Sequence, residues 1–443
     1  MMGKLNNIFF PRAAGVLLGI LLLPAGSVRG QTRIKVSGEY APQLTTAVVD
    51  FEPREAGERE PGAVMADLLL DNLLLTGFFT PVENRQFIAD AEATDRRTGK
   101  VNLAGWRAIG ADVVIKGSFS IAREIVTIEC RAISVSQGRQ VYSKGYREDR
   151  ARWRKIIQTM ADEIVFALTG ERGLARTEIA FTSTRDGEKK IYTMEASGRN
   201  WRKLGSGRGL ALYPAWTPDG RSVAYTGYAY GFPWIFLDSP AAGKRRVLSS
   251  RPGLNAFPAI SPDGRWAAFS LSKDGNNELY KSRLDGSELT RLTSHRANDC
   301  SPTWSPDGRR IAFTSDRGGS PQIYLISAEG TEREVRRLTR QGRYNTSPDW
   351  SPRGDLVAYT SRLNGYFEIC VVDVNSGEVT RLTKNRYHDE DPSWAPNGRH
   401  LVYSSRRGGR TSLFVLDSLN PRPVQVTSGQ DCYSPAWSPF LSR

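Results

Sequence analysis

Three features of the sequence predict a two-domain chain, a small N-terminal α/β domain followed by a six-bladed β-propeller, mainly β overall. A phrase is written six times at near-constant spacing, short alternating apolar runs recur at fixed places between its copies, and the first third of the chain carries no repeat. At 443 residues the chain is long enough for both units to bury a core of their own.

Residues 1–30 read as a secretory signal. Lys4 and Arg12 precede an apolar run at residues 13–23, then Pro24 and small residues lead to Gly30. Eleven apolar residues are too few for a membrane-spanning helix, so the mature chain is expected to begin near Gln31 in an exported compartment. Residues 31–170 are expected to form the α/β domain. Within it, residues 47–51 read as a strand, 62–75 as a buried helix, 102–109 as a helix, 111–119 as extended, and 125–135 with 140–146 as a hairpin around Gln137 and Gly138. A last helix at residues 152–168 is ended by Gly170, and residues 171–177 read as a short linker.

The propeller is expected over residues 178–443. The phrase, for example "PTWSPDGRRIAFTS" at residues 302–315, opens at Pro214, Pro258, Pro302, Pro348, Pro392 and Pro435, at separations of 44, 44, 46, 44 and 43 residues. A period near 44 is that of four-stranded propeller blades. The first alternating run, residues 179–182, has no phrase before it, and the last phrase has no run after it. One blade is therefore predicted to be shared between the two ends of the region, its innermost strand at residues 436–438 and the other three within 179–204, which closes the ring.

The phrase reads as framework. Trp216, Trp304, Trp350, Trp394 and Trp437, with Ile260 in the second blade, are large apolar groups expected where neighbouring blades meet, each burying about 200 Å². In Ser-Pro-Asp-Gly, proline fixes φ, aspartate can bond nearby amides, and glycine supplies a positive φ, so the tetrapeptide is a turn. Repeated Asp219, Asp263 and Asp307 also admit a catalytic reading, but turns recruit this residue type without one. If each Trp strand runs down the channel, these turns lie at the bottom, and the unlike connections at residues 205–213, 249–257, 294–301, 340–347, 384–391 and 428–434 surround the mouth. Six different loops on a rigid ring form an asymmetric surface suited to one partner.

Charge is uneven: residues 31–170 carry 19 basic and 19 acidic groups, whereas 171–443 carry 39 basic and 28 acidic. No basic cluster interleaves with stacking aromatics, which argues against nucleic acid. Cys130, Cys300, Cys370 and Cys432 include no CxxC pair, and a ring would hold Cys300 and Cys432 apart, so no disulfide between them is expected. No G-x-S-x-G is present, and His295, His388 and His400 have no Ser or Cys nucleophile set out near them, so neither a catalytic residue nor a cofactor is expected. His388, Asp389, Glu390 and Asp391 have metal-ligand chemistry, yet four adjacent residues do not readily face one ion; a solvated rim is the simpler reading. Residues 205–209 (GSGRG) lack the strand-to-helix context of a phosphate loop.

With "AVVDFEP" at residues 47–53, "ADVVIKGSF" at 111–119, the ending "PAWSPFL" at 435–441 and this domain order, the chain resembles the TolB family, periplasmic propeller proteins of the Tol-Pal system of Gram-negative envelopes. The resemblance implies a non-enzymatic, monomeric adaptor that supports outer-membrane integrity and cell division and is peripheral to the membrane through its partners. It implies that the lipoprotein Pal docks at the mouth, on Leu212, Asn255, Ala256, Asn298, Asp299, Asn345, Thr346, Asp389 and Glu390. It also implies that TolA engages the segment from Thr32 to Leu44, with Ile34 and Val36, where "TRIKVSGEYAPQL" matches only in an Ile/Val strand start. The competing reading is a channel-mouth enzyme or small-ligand sensor, supported by the polar mouth around His388.

Overall fold

The structure, a computed structural model, describes residues 43–54, 60–205, 209–239, 242–330 and 332–441. The expected signal and Thr32, Ile34 and Val36 lie outside the described residues. The first domain is a three-layer α/β unit. Its sheet has the order β3-β1-β4-β5-β6, with β2 also on β4: β1 is Leu44–Val48, β2 Glu52–Pro53, β3 Phe79–Pro81, β4 Val113–Ala122, β5 Ile125–Ser134 and β6 Arg139–Asp149. β1 runs parallel to β3 and β4, whereas β4, β5 and β6 form an antiparallel meander.

Helices α1 (Glu60–Leu74) and α4 (Trp153–Thr169) cover one face. Met65, Leu68, Leu69 and Leu73 of α1 pack with Ile157, Met160, Ile164 and Leu168 of α4 over Ile115 and Ile128, a helical period meeting a period of two. α1 begins against the β1–β2 turn so closely that a Cβ on Gly62 would lie 1.9 Å from the Phe51 carbonyl oxygen, which only glycine permits. Gly170, at φ 77°, ends α4 as expected.

α2 (Arg85–Thr98) and α3 (Leu103–Ala108) cover the opposite face. α2 and β3 are not in the sequence reading. The local signals were a capping Asn84, whose side chain accepts from the Gln86 amide, and a left-handed Gly99; between them α2 offers the core only Ile88 and Ala91, too few to show a period.

Six four-stranded sheets follow, each in simple meander order, and the sixth consists of Cys432–Trp437 with Glu178–Ser183, Lys190–Glu195 and Arg202–Lys203. The two ends pair antiparallel, Trp437 opposite Ile179 and Cys432 opposite Ser183, so the ring closes as predicted. Trp216, Trp304 and Trp394 donate their indole N–H to the carbonyls of Ala436, Ala259 and Asp349, each in the innermost strand of the preceding blade, and so tie blade to blade. In the bottom turns Asp263 and Asp307 accept from the Ser261 and Ser305 hydroxyls and from the amides of Arg265 and Arg309. The repeated aspartates are turn residues.

The innermost strands begin earlier than the sequence reading placed them, at Ala211, Asn255, Asp299, Asn345, His388 and Cys432. Their pairing is interrupted by a bulge immediately before and at each proline. Tyr213, Phe257, Ser301, Ser347, Asp391 and Ser434 adopt φ of 56°, 55°, 53°, 51°, 53° and 43° there. Proline has no N–H for the ladder, and the bulge accommodates the lost bond while turning the preceding side chain to the channel.

Residues 171–177 are a fixed joint. Leu174, Ala175 and Thr177 are buried; the Ala175 amide and the Arg176 guanidinium both bond Asp162 of α4, and Thr177 Oγ1 accepts from the Trp437 indole. Arg154 of α4 makes a two-pronged pair with Glu195 at 2.8 and 2.6 Å, and Arg199 pairs with Asp71. Both domains fall within one compact unit.

Candidate functional site

The six bulged residues form the rim of a central cavity of ≈ 370 Å³, with the prolines below them and the ring of Trp216, Ile260, Trp304, Trp350, Trp394 and Trp437 deeper down. The lining has two unlike sides. On blades one and two it is apolar, with Tyr213 and Phe257 in ring contact at 4.2 Å above Ala215 and Ala259. On the remaining blades it is polar, with Ser301, Ser347, Asp391 and Ser434 above Thr303, Asp349 and Ser393. Asp391 accepts from Ser347 Oγ and Ser434 Oγ, both at 2.8 Å, so three blades are bridged at the rim. Asp349 accepts from the Trp394 amide at 2.7 Å and from Thr303 Oγ1, and burial pushes its carboxyl up to about 6.

The nine residues placed at the mouth separate by strand position. Asn255, Asp299, Asn345 and Asp389 occupy equivalent places, face into their blades and have no measurable exposure, so they are not available to a docking surface. They hold the mouth loops from inside. The Asn255 side chain accepts from Ser249 Oγ (2.6 Å) and the Arg251 amide (3.1 Å) and donates to the carbonyls of Arg251 (2.7 Å) and Gly253 (3.1 Å). Asn345 donates to Gln322 and the Gln341 carbonyl, Asp299 pairs with Arg317 at 2.7 Å, and Asp389 accepts from Asn385. One residue further along, on the other face of the strand, Leu212, Thr346 and Glu390 are partly exposed, whereas Ala256 is buried; Asn298, in the loop, is exposed. Leu44 belongs to the first domain, half-buried against its core.

Glu390 sits between Asp389 and Asp391, and burial together with these two charges pushes its carboxyl up to about 7. Exposed aromatic side chains stand on other connections of the mouth face. Tyr230 and Phe232 belong to the hairpin between the second and third strands of blade one and are 65% and 67% exposed; Tyr344 and Tyr387, 40% and 41% exposed, immediately precede the innermost strands of blades four and five. The sequence signal for the hairpin was the run "YAYGFPW" at residues 228–234, the most aromatic of the six equivalent connections.

The histidines are dispersed. His388 packs against Tyr366 and Phe367, His295 Nδ1 accepts from the Ala297 amide, and His400 lies at the domain seam. Among the described residues no three His, Cys, Asp or Glu side chains are grouped to hold a metal ion. All four cysteines are free; burial pushes Cys300, beside the rim, up to about 11, which keeps it a thiol.

Comparison with known proteins bears on this architecture at both domains. Residues 165–441 match the family described as TolB beta propeller domain, and residues 32–141 match the TolB amino-terminal domain. The Tol-Pal system protein TolB of Desulfosudis oleivorans is 34% identical over 228 residues, 51% of this chain and 52% of that protein. That of Geobacter sulfurreducens is 38% identical over 210 residues, 47% and 48% of the two chains. The matched stretch thus spans about half the length of these curated relatives. The crystal structure of TolB from Acinetobacter baumannii superposes with a TM-score of 0.75 at 26% identity, covering 90% of this chain and 97% of that one. From both matched domains and this shared architecture, the chain belongs to the TolB family.

Proposed function

We propose that this chain is a periplasmic adaptor of the Tol-Pal system that binds the Pal lipoprotein at the propeller mouth and TolA through residues 32–44, and so supports outer-membrane integrity and cell division. The observation that carries the mouth assignment is the composition of that face: its connections carry exposed Tyr230, Phe232, Tyr344 and Tyr387 together with the partly dehydrated Glu390. Aromatic anchors with a few fixed polar groups are the composition of protein-binding hot spots. Family membership supports the system, and the run at residues 1–30 supports export. Among the described residues no helix is long and apolar enough to cross a membrane. The dispersed histidines favour the adaptor over a channel enzyme.

The partner-facing members of the mouth set are Leu212, Asn298, Thr346 and Glu390, with Asn255, Asp299, Asn345 and Asp389 supporting them from within. Titration calorimetry of the full chain against purified Pal tests this. Glu390→Lys and Thr346→Arg are expected to weaken binding at least tenfold with little change in melting temperature. Unchanged affinity in both would remove the mouth assignment. Deletion of residues 32–42 is expected to abolish TolA capture and leave Pal binding intact.

A further inference from the structure

Away from the mouth, the seam between the domains holds a buried histidine whose two ring nitrogens are both committed. His400, in blade five, is 1% exposed. Its Nε2 lies 2.8 Å from the carbonyl oxygen of Thr76 in the turn after α1, a residue 324 positions away in the chain, so Nε2 must carry a proton. Its Nδ1 lies 3.0 Å from Asn397 Nδ2. The orientation of that amide is fixed, because Asn397 Oδ1 already accepts from the amides of Arg399 and His400 at 3.0 and 3.2 Å. Asn397 therefore presents a donor, and Nδ1 must accept. The imidazole is locked as the neutral Nε2–H tautomer, and a second proton at Nδ1 would face an N–H with no acceptor in reach.

The charged groups around the ring are Arg399, Asp417 and Glu171. Arg399 is paired with Asp417 at 2.9 and 2.6 Å and with Glu171 at 3.3 Å, and also lies over the Phe78 ring at 4.5 Å. Phe78 meets the imidazole edge-on, with ring centroids 6.2 Å apart. The first-domain segment against the ring, residues 75–78, contributes no titratable side chain. Both carboxylates are thus already engaged by Arg399, and burial, the largest influence, lowers the affinity of His400 for a proton below that of a free imidazole.

We infer that His400 is a proton-sensitive latch: closed and neutral, it joins the propeller to the α1–β3 turn, and its protonation releases that contact and loosens the seam. The Arg154–Glu195 and Arg199–Asp71 pairs remain as a tether, so the release is local. An open seam binds a proton with the ordinary imidazole affinity near 6.5. With little proton uptake in the closed state, the opening constant rises about fivefold between pH 6.5 and 5.5 and approaches tenfold per unit only below that.

The test is hydrogen exchange of the full chain from pH 5 to 7.5, corrected for intrinsic rates. Amide protection at residues 76–79 is expected to fall about fivefold from pH 6.5 to 5.5 and about 15-fold from pH 6.5 to 5. His400→Gln, which retains one donor and one acceptor, should hold protection at the pH 7 level throughout. In parallel, ¹⁵N chemical shifts of the wild-type imidazole should show the Nε2–H tautomer and a titration below 6.5, reached only where the protection of residues 76–79 has been lost. Equal pH dependence in wild type and His400→Gln would overturn the latch. A His400 that titrates at or above 6.5, or that takes up its proton while residues 76–79 remain protected, would overturn it even if the variant fails to fold.

Discussion

The most discriminating substitution for the mouth is Asn255→Ala, because it separates a residue that builds the loop from one that touches a partner. Asn255 has no measurable exposure and makes four hydrogen bonds within residues 249–255. Truncation leaves two carbonyls, one amide and one hydroxyl without this partner. Counting roughly 1 kcal/mol for each bond and allowing water to recover some of them, the loop loses about 2–4 kcal/mol. At about 1.4 kcal/mol per decade, exchange of the amides in residues 249–256 should accelerate between roughly 30-fold and 700-fold. Asn255→Asp should be equally damaging at neutral pH, since it sets a carboxylate against the carbonyls of Arg251 and Gly253, and should recover in part as the carboxyl is protonated. Calorimetry against Pal under conditions where the variant is folded should show affinity within about threefold of wild type, because Asn255 is not exposed to a partner and the loosened loop is still closed most of the time. Unchanged exchange together with loss of Pal binding would refute the reasoning and return Asn255 to the contact surface.

The buried Arg399–Asp417 pair should behave asymmetrically. Asp417→Ala, which leaves a guanidinium that is 7% exposed with only its 3.3 Å contact to Glu171, is expected to cost about 3 kcal/mol in urea unfolding, and Arg399→Met with Asp417→Leu together much less; equal costs would contradict this. Glu390 holds its proton up to about 7 in the folded chain against 4.5 for the free group, so its cost to stability is absent below pH 4.5 and grows as pH rises through 7. Glu390→Gln should therefore raise stability by about 1 kcal/mol at pH 8, after discounting for its partial exposure, and change nothing at pH 4 by thermal melting. Gly308 has φ of 70° with open space where a Cβ would sit, the nearest atom being Pro262 Cδ at 3.9 Å, so Gly308→Ala should cost about 1–2 kcal/mol from backbone strain alone. Phe232→Ser should leave melting unchanged and weaken Pal binding about 5- to 30-fold; an unaltered affinity would take the aromatic hairpin out of the interface.

Much of the fold was legible because its determinants are local. Pro-Asp-Gly dictates a turn from the φ values of its own residues, as Gly264 and Gly308 at φ 70° show, and the alternating runs declare their strands by a period of two. α2 was not legible, because a helix exposed along most of its length needs only Ile88 and Ala91 for the core. The unlike residues before each proline do lie at the channel mouth, but five of the nine residues placed there for a partner, Asn255, Ala256, Asp299, Asn345 and Asp389, are buried. The phase of each innermost strand depends on the bulge at Tyr213, Phe257, Ser301, Ser347, Asp391 and Ser434, and a shift of one position exchanges the inner face for the outer.

The sequence by itself determined the six blades, the closure between residues 179–183 and 432–437, and the framework role of the repeated phrase, since each follows from spacing and local backbone preference. Only the tertiary structure decided which mouth residues face outward, that the channel has an apolar and a polar side, and that residues 171–177 and His400 weld two domains into one body. These features rest on contacts between residues tens to hundreds of positions apart, such as Asn397, His400 and Thr76, and no local pattern in the chain encodes who will be opposite whom.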